Sequence, residues 1–267
     1  MLGGIEVEIG ETATKCTGTT AQPTVVHFHG GGFTIGGPSD DRLYLSRLVQ
    51  DLGARTVSVD YRLAPEHVFP AAVEDGVDVL ATLLAGGTDP NTLLVSGESA
   101  GGGLAILVLQ EAHRRQLPPP AGLLLQSPLV DFTASGRSHQ LNADSDHVTS
   151  RASILWTAKT FLSGADPRVH SPLNGNLQTL PPTLIQVGDT EVLLDDSRAL
   201  AMRLDSAGVT VHLEVWTDVL HTWHAFACLD ASRRATERVV EFAHAQLTNR
   251  TAEPHPTPHH TQGRSIR

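Results

Sequence analysis

The sequence predicts an α/β domain built on a mostly parallel central sheet with helices on both faces. Short apolar runs rich in Val and Leu alternate along the chain with segments whose apolar residues recur at helical spacing, the pattern of strands joined by crossover helices. Two of those runs end in glycine-rich turns, and the length of 267 residues suits one large α/β unit with a single core.

The elements follow in order. Residues 25–28 form a buried strand. Residues 43–52 carry Leu45, Leu48, Val49 and Leu52 on one helical stripe, and Gly53 is placed to end it. A strand over 56–59 precedes a helix over 70–84, whose stripe is Val73, Val77, Leu80 and Leu84 and whose stop is Gly86-Gly87. After a strand at 93–95, residues 100–116 are apolar nearly all round in their first turns, which predicts a buried helix. Strands at 122–126, 183–187 and 211–216, helices at 196–207 and 233–247, and a capping Gly208 complete the repeat. The stretch 135–165 interrupts it: polar at first, then helical over 154–161, it reads as an insertion. The expected organisation is one domain over 1–247 and a disordered tail over 248–267, whose Pro- and His-rich end has too little apolar surface to offset its ordering entropy.

Composition excludes several classes of partner. The formal net charge is −10, and no run of Lys or Arg offers a cationic stripe, so nucleic acid is not an expected partner. Cys16 and Cys228 lie far apart without metal or redox spacing, which fits two free thiols in a cytoplasmic protein. Residues 1–11 lack a basic and an apolar region of signal type, and no apolar run approaches the roughly 18 residues of a membrane span. Neither a metal nor a cofactor is implied, His255, His259 and His260 of the tail included. An oligomer is compatible with the sequence.

The chemistry lies in two motifs, each at the end of an expected strand. Gly97-Glu98-Ser99-Ala100-Gly101 has the form of a nucleophile elbow, in which a strained strand-to-helix turn lifts a serine hydroxyl clear of the sheet. Small neighbours two positions away are then required, and Gly97 and Gly101 meet that need. His29-Gly30-Gly31-Gly32 supplies backbone that can approach an oxyanion closely, so the N–H groups of Gly30, Gly31 and Ala100 are the expected oxyanion donors. Alone, the Ser-centred motif is a weak signal; with the glycine loop it points to acyl transfer.

A serine nucleophile needs a base, and the base an acid. In a parallel sheet both should follow late strands, at the carboxyl edge, in the chain order Ser, acid, His. The base candidates are His221 and His224. The acid candidates are Asp189, Glu191, Asp195 and Asp196, of which the last two also suit the first turn of the next helix.

These motifs, together with Val59-Asp60-Tyr61-Arg62-Leu63-Ala64-Pro65-Glu66-His67 and Phe69-Pro70-Ala71-Ala72, resemble the hormone-sensitive lipase branch of the α/β-hydrolases over most of 25–247. The resemblance implies an α/β-hydrolase fold and a serine hydrolase of carboxylesterase or lipase type. It selects His221 as base, from the run Trp216 to His221, and Glu191 as acid, with Asp189 as the alternative. Glu98 stands where Asp is commoner, and its extra length suggests a reach to Arg62. Members of the branch carry several dozen residues ahead of the glycine loop, part of a cap over the site, whereas here His29 comes early. A reduced cap is therefore expected, made by the insertion 135–165, with Phe33, Trp156 and Phe161 as walls of an open pocket for small soluble esters. An amidase or peptidase with the same triad, and a non-catalytic small-molecule receptor, are the competing readings.

Overall fold

The computed structural model describes residues 1–12, 22–226 and 228–251. Seven strands form one sheet: β1 (Val7–Gly10), β2 (Thr24–Phe28), β3 (Arg55–Val59), β4 (Leu93–Glu98), β5 (Gly122–Gln126), β6 (Thr183–Gly188) and β7 (Val211–Trp216). Their order is β1-β3-β2-β4-β5-β6-β7, and every neighbouring pair is parallel except β1 with β3. The reversal of order around β2 and β4 is the switch point at which open α/β sheets gather ligands outside their carboxyl ends.

The helices are α1 (Arg42–Asp51), α2 (Ala71–Ala85), α3 (Ala100–Arg114), α4 (Ser138–Leu141), α5 (Arg151–Leu162), α6 (Pro167–His170), α7 (Leu194–Ser206) and α8 (Asp230–Thr251). Strands β2, β4, β5 and β6 are buried throughout, as expected when helices cover both faces and the strand sequence becomes continuously apolar. One face packs Leu80, Leu104, Val108, Leu200 and Leu204 of α2, α3 and α7 on the sheet; the other packs Leu45, Leu48, Val239 and Phe242 of α1 and α8. Gly53, Gly87 and Gly208 all adopt positive φ after their helices, the left-handed turn that glycine makes without steric cost.

Several elements depart from the expectation. The sequence pattern does not announce β1: four residues, none fully buried, pair antiparallel at the edge, Val7 opposite Val59 and Ile9 opposite Val57, and give no long apolar signal. The last helix runs past residue 247 to Thr251, because polar residues without Pro or Gly do not stop a helix. The predicted tail beyond Thr251 and the thiol of Cys16 lie outside the described residues, while Cys228 is exposed and unpaired. The insertion between β5 and β6 carries α4, α5 and α6, and α5 begins with a capping box in which Ser150 and Ser153 satisfy each other's backbone N–H. Among the described residues no helix is long and apolar enough to cross a membrane.

Candidate active site

Strand β4 ends at Glu98 and α3 begins at Ala100, so Ser99 alone makes the turn between them. Its φ of 51° and ψ of −118° lie outside the regions an L-residue adopts freely, a strain that the surroundings must impose. They do so through the backbone: Ser99 N–H donates to Gln126 O at 2.8 Å, and Ser99 O accepts from Leu129 N at 2.9 Å. A Cβ on Gly97 would lie 2.3 Å from Gly101 O, and one on Gly101 would lie 2.1 Å from Phe28 O. The elbow thus closes only with glycine at both positions.

Two further strand ends bring their side chains to Ser99. His221, five residues beyond β7, sets its Nε2 2.9 Å from Ser99 Oγ and its Nδ1 2.6 Å from Glu191 Oε2. Glu191 follows β6 and is wholly buried. Its second oxygen, Oε1, accepts from Ser127 Oγ at 2.7 Å and from Gly188 N at 2.6 Å. Serine, imidazole and carboxylate therefore form one hydrogen-bonded line across the carboxyl edge of the sheet.

The loop carrying Glu191 is clasped by the insertion. Asn142 Nδ2 donates to the carbonyls of Asp189 and Glu191 at 2.9 and 2.7 Å, and Asp146 Oδ2 accepts from Val192 N at 2.9 Å. Asp189 itself accepts from Asp218 N at 3.1 Å and is a turn residue, off the Ser99 line. Asp195 and Asp196 lie in the first turn of α7, in keeping with the sequence pattern, but Asp196 is also buried, where it accepts from Val130 N and Asp131 N and pairs with His139 at 2.9 Å. His224 does not line a pocket or meet solvent: it is buried, with Nε2 2.9 Å from Gln186 Oε1, and burial holds the ring neutral, pushing its pKa down to about 3.

The glycine loop lies against the elbow, since a Cβ on Gly30 would be 3.6 Å from Ser99 Cβ. Gly31 has φ of 101°, and a side chain there would strike Ile35 O at 2.1 Å. His29 stacks on Tyr61 at 4.2 Å, and Tyr61 Oη donates to His29 O at 2.8 Å, which ties the loop to the end of β3. None of the hydrogen bonds among the described residues uses the N–H of Gly30, Gly31 or Ala100. At the start of α3 the macrodipole adds positive potential at that place.

Two expectations are corrected here. Phe33 and Phe161 are not walls of an open pocket: they are 0% and 1% exposed, stacked on each other at 4.0 Å with Phe132 edge-on, because three large rings bury more surface together than any would against solvent. Trp156, earlier on the same helix and on its outer side, is 59% exposed. Nor does Glu98 reach Arg62, whose guanidinium lies 2.7 Å from Asp75 and 3.5 Å from Glu74. Glu98 is buried instead, with its carboxyl facing Asp41. Sequence reasoning missed Ser127, Asp41, His27 and Asn142. Ser127 had a signal, its place at the carboxyl end of the strand between those of Ser99 and Glu191; the others had none.

Comparison with known proteins agrees with this fold. Residues 25–225 match the family model described as alpha/beta hydrolase fold. An acetyl-hydrolase of Streptomyces hygroscopicus is 37% identical over 262 residues, which span 94% of this chain and 86% of that protein. An esterase of Acinetobacter venetianus is 34% identical over 229 residues, 84% of this chain and 75% of its own. The crystal structure of an esterase from the bacterial hormone-sensitive lipase family superposes with a TM-score of 0.87 at 39% identity, covering 92% of this chain and 82% of that one. A hormone-sensitive lipase from a metagenome library gives 0.86 at 34% identity, covering 92% and 84%. The chain belongs to the α/β-hydrolase family, in its hormone-sensitive lipase-like branch, and is an enzyme of the hydrolase class.

Proposed function

We propose that the chain is a carboxylic ester hydrolase that acts on short-acyl soluble esters through an acyl-enzyme on Ser99. The observation that carries this reading is the line from Ser99 through His221 to Glu191, at 2.9 and 2.6 Å, with Ser99 held on a strained elbow. His221 takes the hydroxyl proton as Ser99 Oγ attacks the ester carbonyl, and Glu191 holds the imidazole in the tautomer that can accept it. The N–H groups of Gly30, Gly31 and Ala100 stabilise the oxyanion; His221 then gives the proton to the leaving alcohol, and water attacking the acyl-enzyme by the same route frees the acid.

The names of the relatives, acetyl-hydrolase and esterase, support an ester over an amide substrate. A short acyl group is supported by the name of one relative, an acetyl-hydrolase.

The test is an acyl-chain series of p-nitrophenyl esters, with the matching anilides, on wild type, Ser99→Ala, His221→Ala, Glu191→Gln, Asp189→Asn and His224→Ala. Ser99→Ala and His221→Ala are expected to lower kcat about 10⁵-fold or more and Glu191→Gln about 10⁴-fold, while Asp189→Asn stays close to wild type. Retained hydrolysis in Ser99→Ala or His221→Ala would overturn the assignment, and faster turnover of anilides than of esters would favour an amidase.

A further inference from the structure

Beneath the glycine loop lies a polar cluster that the Ser99 line does not use. His27 and Ser96 are wholly buried, and Asp41 and Glu98 are 3% and 8% exposed. His27 Nε2 lies 2.9 Å from Asp41 Oδ2, and His27 Nδ1 lies 3.1 Å from Ser96 Oγ. Both ring nitrogens of His27 are thus engaged, one by a carboxylate and one by a hydroxyl. The buried carboxyl of Glu98 faces Asp41 within the same cluster. Two carboxyl groups can hydrogen-bond each other only if one keeps its proton. Glu98 is also the residue that precedes the nucleophile, and its Oε1 lies 2.8 Å from where a Cβ on Gly30 would be, so this carboxyl occupies the space against the loop.

We propose that Glu98 and Asp41 share a single proton and that this pair positions the Gly30 end of the glycine loop against Ser99. Its effect on rate rests on the reading of Ser99 as nucleophile; the shared proton does not. Burial pushes the Glu98 carboxyl well above the ordinary carboxylate range, and the facing charge of Asp41 pushes the same way. Burial also raises Asp41, but its hydrogen bonds to His27 and Glu98 bring it below its usual value. The other titratable groups facing the pair are Asp40 before α1, Tyr44 within it, His29 after β2, Tyr61 after β3, Glu191 after β6 and His224 after β7. Of these, His29 and His224 are held neutral by burial, and both tyrosines are held protonated by theirs. When pH rises until Glu98 loses the proton, two buried negative charges meet under Gly30 and the loop is forced away from Ser99.

The test compares wild type with Glu98→Gln, Glu98→Ala and Ser99→Ala, by infrared spectroscopy and by the pH profile of ester hydrolysis. The wild-type-minus-Glu98→Gln spectrum at neutral pH is expected to show the carbonyl stretch of a neutral carboxylic acid, lost at alkaline pH. Glu98→Gln, which still donates to Asp41, should keep kcat within about threefold at neutral pH and lack the alkaline loss of kcat expected of wild type. Glu98→Ala should lower kcat about 10- to 100-fold with KM nearly unchanged. A difference spectrum without that band overturns the shared proton, even if Glu98→Ala fails to fold. An alkaline limb identical in Glu98→Gln and wild type, or a folded Glu98→Ala with wild-type kcat, overturns the positioning role. Ser99→Ala should lose hydrolysis and keep the band; if it still hydrolyses esters, the nucleophile assignment fails while the spectrum still decides the pair.

Discussion

Ser127 Oγ donates to Glu191 Oε1 at 2.7 Å, which leaves Oε2 as the oxygen that meets His221. A buried carboxylate with donors on both oxygens cannot rotate without breaking a charge-assisted hydrogen bond. Ser127→Ala should therefore lower kcat about 10- to 100-fold, the value of a hydrogen bond to a charged group, with KM nearly unchanged. Steady-state kinetics on a p-nitrophenyl ester measures it, and an unchanged kcat would show that Gly188 N alone fixes the carboxylate.

The aromatic stack beneath the insertion makes a contrast between neighbours on one helix. Phe161→Ala removes a buried ring packed on Phe33 and Phe132 and should cost about 3–5 kcal/mol in denaturant unfolding. Trp156→Ala, at an exposed position on the same helix, should stay within about 0.5 kcal/mol of wild type.

Asp196 joins three pieces of chain: α7, the backbone at 130–131 and His139 of α4. Removing its carboxylate strands two buried N–H groups and an imidazole together. Asp196→Ala is expected to cost about 3 kcal/mol, or about 6–12 °C in Tm for a chain of this size. Asp196→Asn, which keeps an acceptor for the N–H groups, should lose less, and equal losses would locate the effect in the charge.

The buried Glu98 also predicts how stability depends on pH. In the unfolded chain this carboxyl releases its proton near the ordinary glutamate value, whereas in the folded protein it holds the proton to higher pH. Folding then takes up a proton, so its contribution is full below the unfolded pKa and is lost as pH rises through the folded one. Glu98→Gln has no such proton, and its Tm relative to wild type should increase as pH is raised from about 5. Parallel melting curves across pH check this; a constant difference would remove the raised pKa.

Much of this fold and site was legible from the chain alone, because strained chemistry demands particular residues. Only glycine closes the turn at 97 and 101, so the elbow stands out in the sequence, and strands buried on both faces read as unbroken apolar runs. The resemblance selected Glu191 over Asp189, and in the structure it is Glu191 that meets His221. What stayed hidden depends on partners distant in sequence. Arg62 and Glu98 looked complementary, but Asp75 lies one helical turn into α2, near enough to take the guanidinium first. His27 reads as one more strand residue until β4 brings Ser96 beside it and α1 brings Asp41. Trp156 and Phe161 are five residues apart, about 140° around the helix, a spacing that already sets them on opposite sides, and the packing of α5 shows which side is inside.

Ser99 and His221 are 122 residues apart, and the strand that delivers His221 is the last to join the sheet in sequence and lies at its edge. A contact between such distant partners cannot form in a chain that lacks β7, since long-range pairings are among the later rewards of folding. The Ser99–His221 contact thus reports that the sheet has been extended to β7. On the proposed mechanism, turnover in a refolding assay counts molecules in which that edge strand has docked.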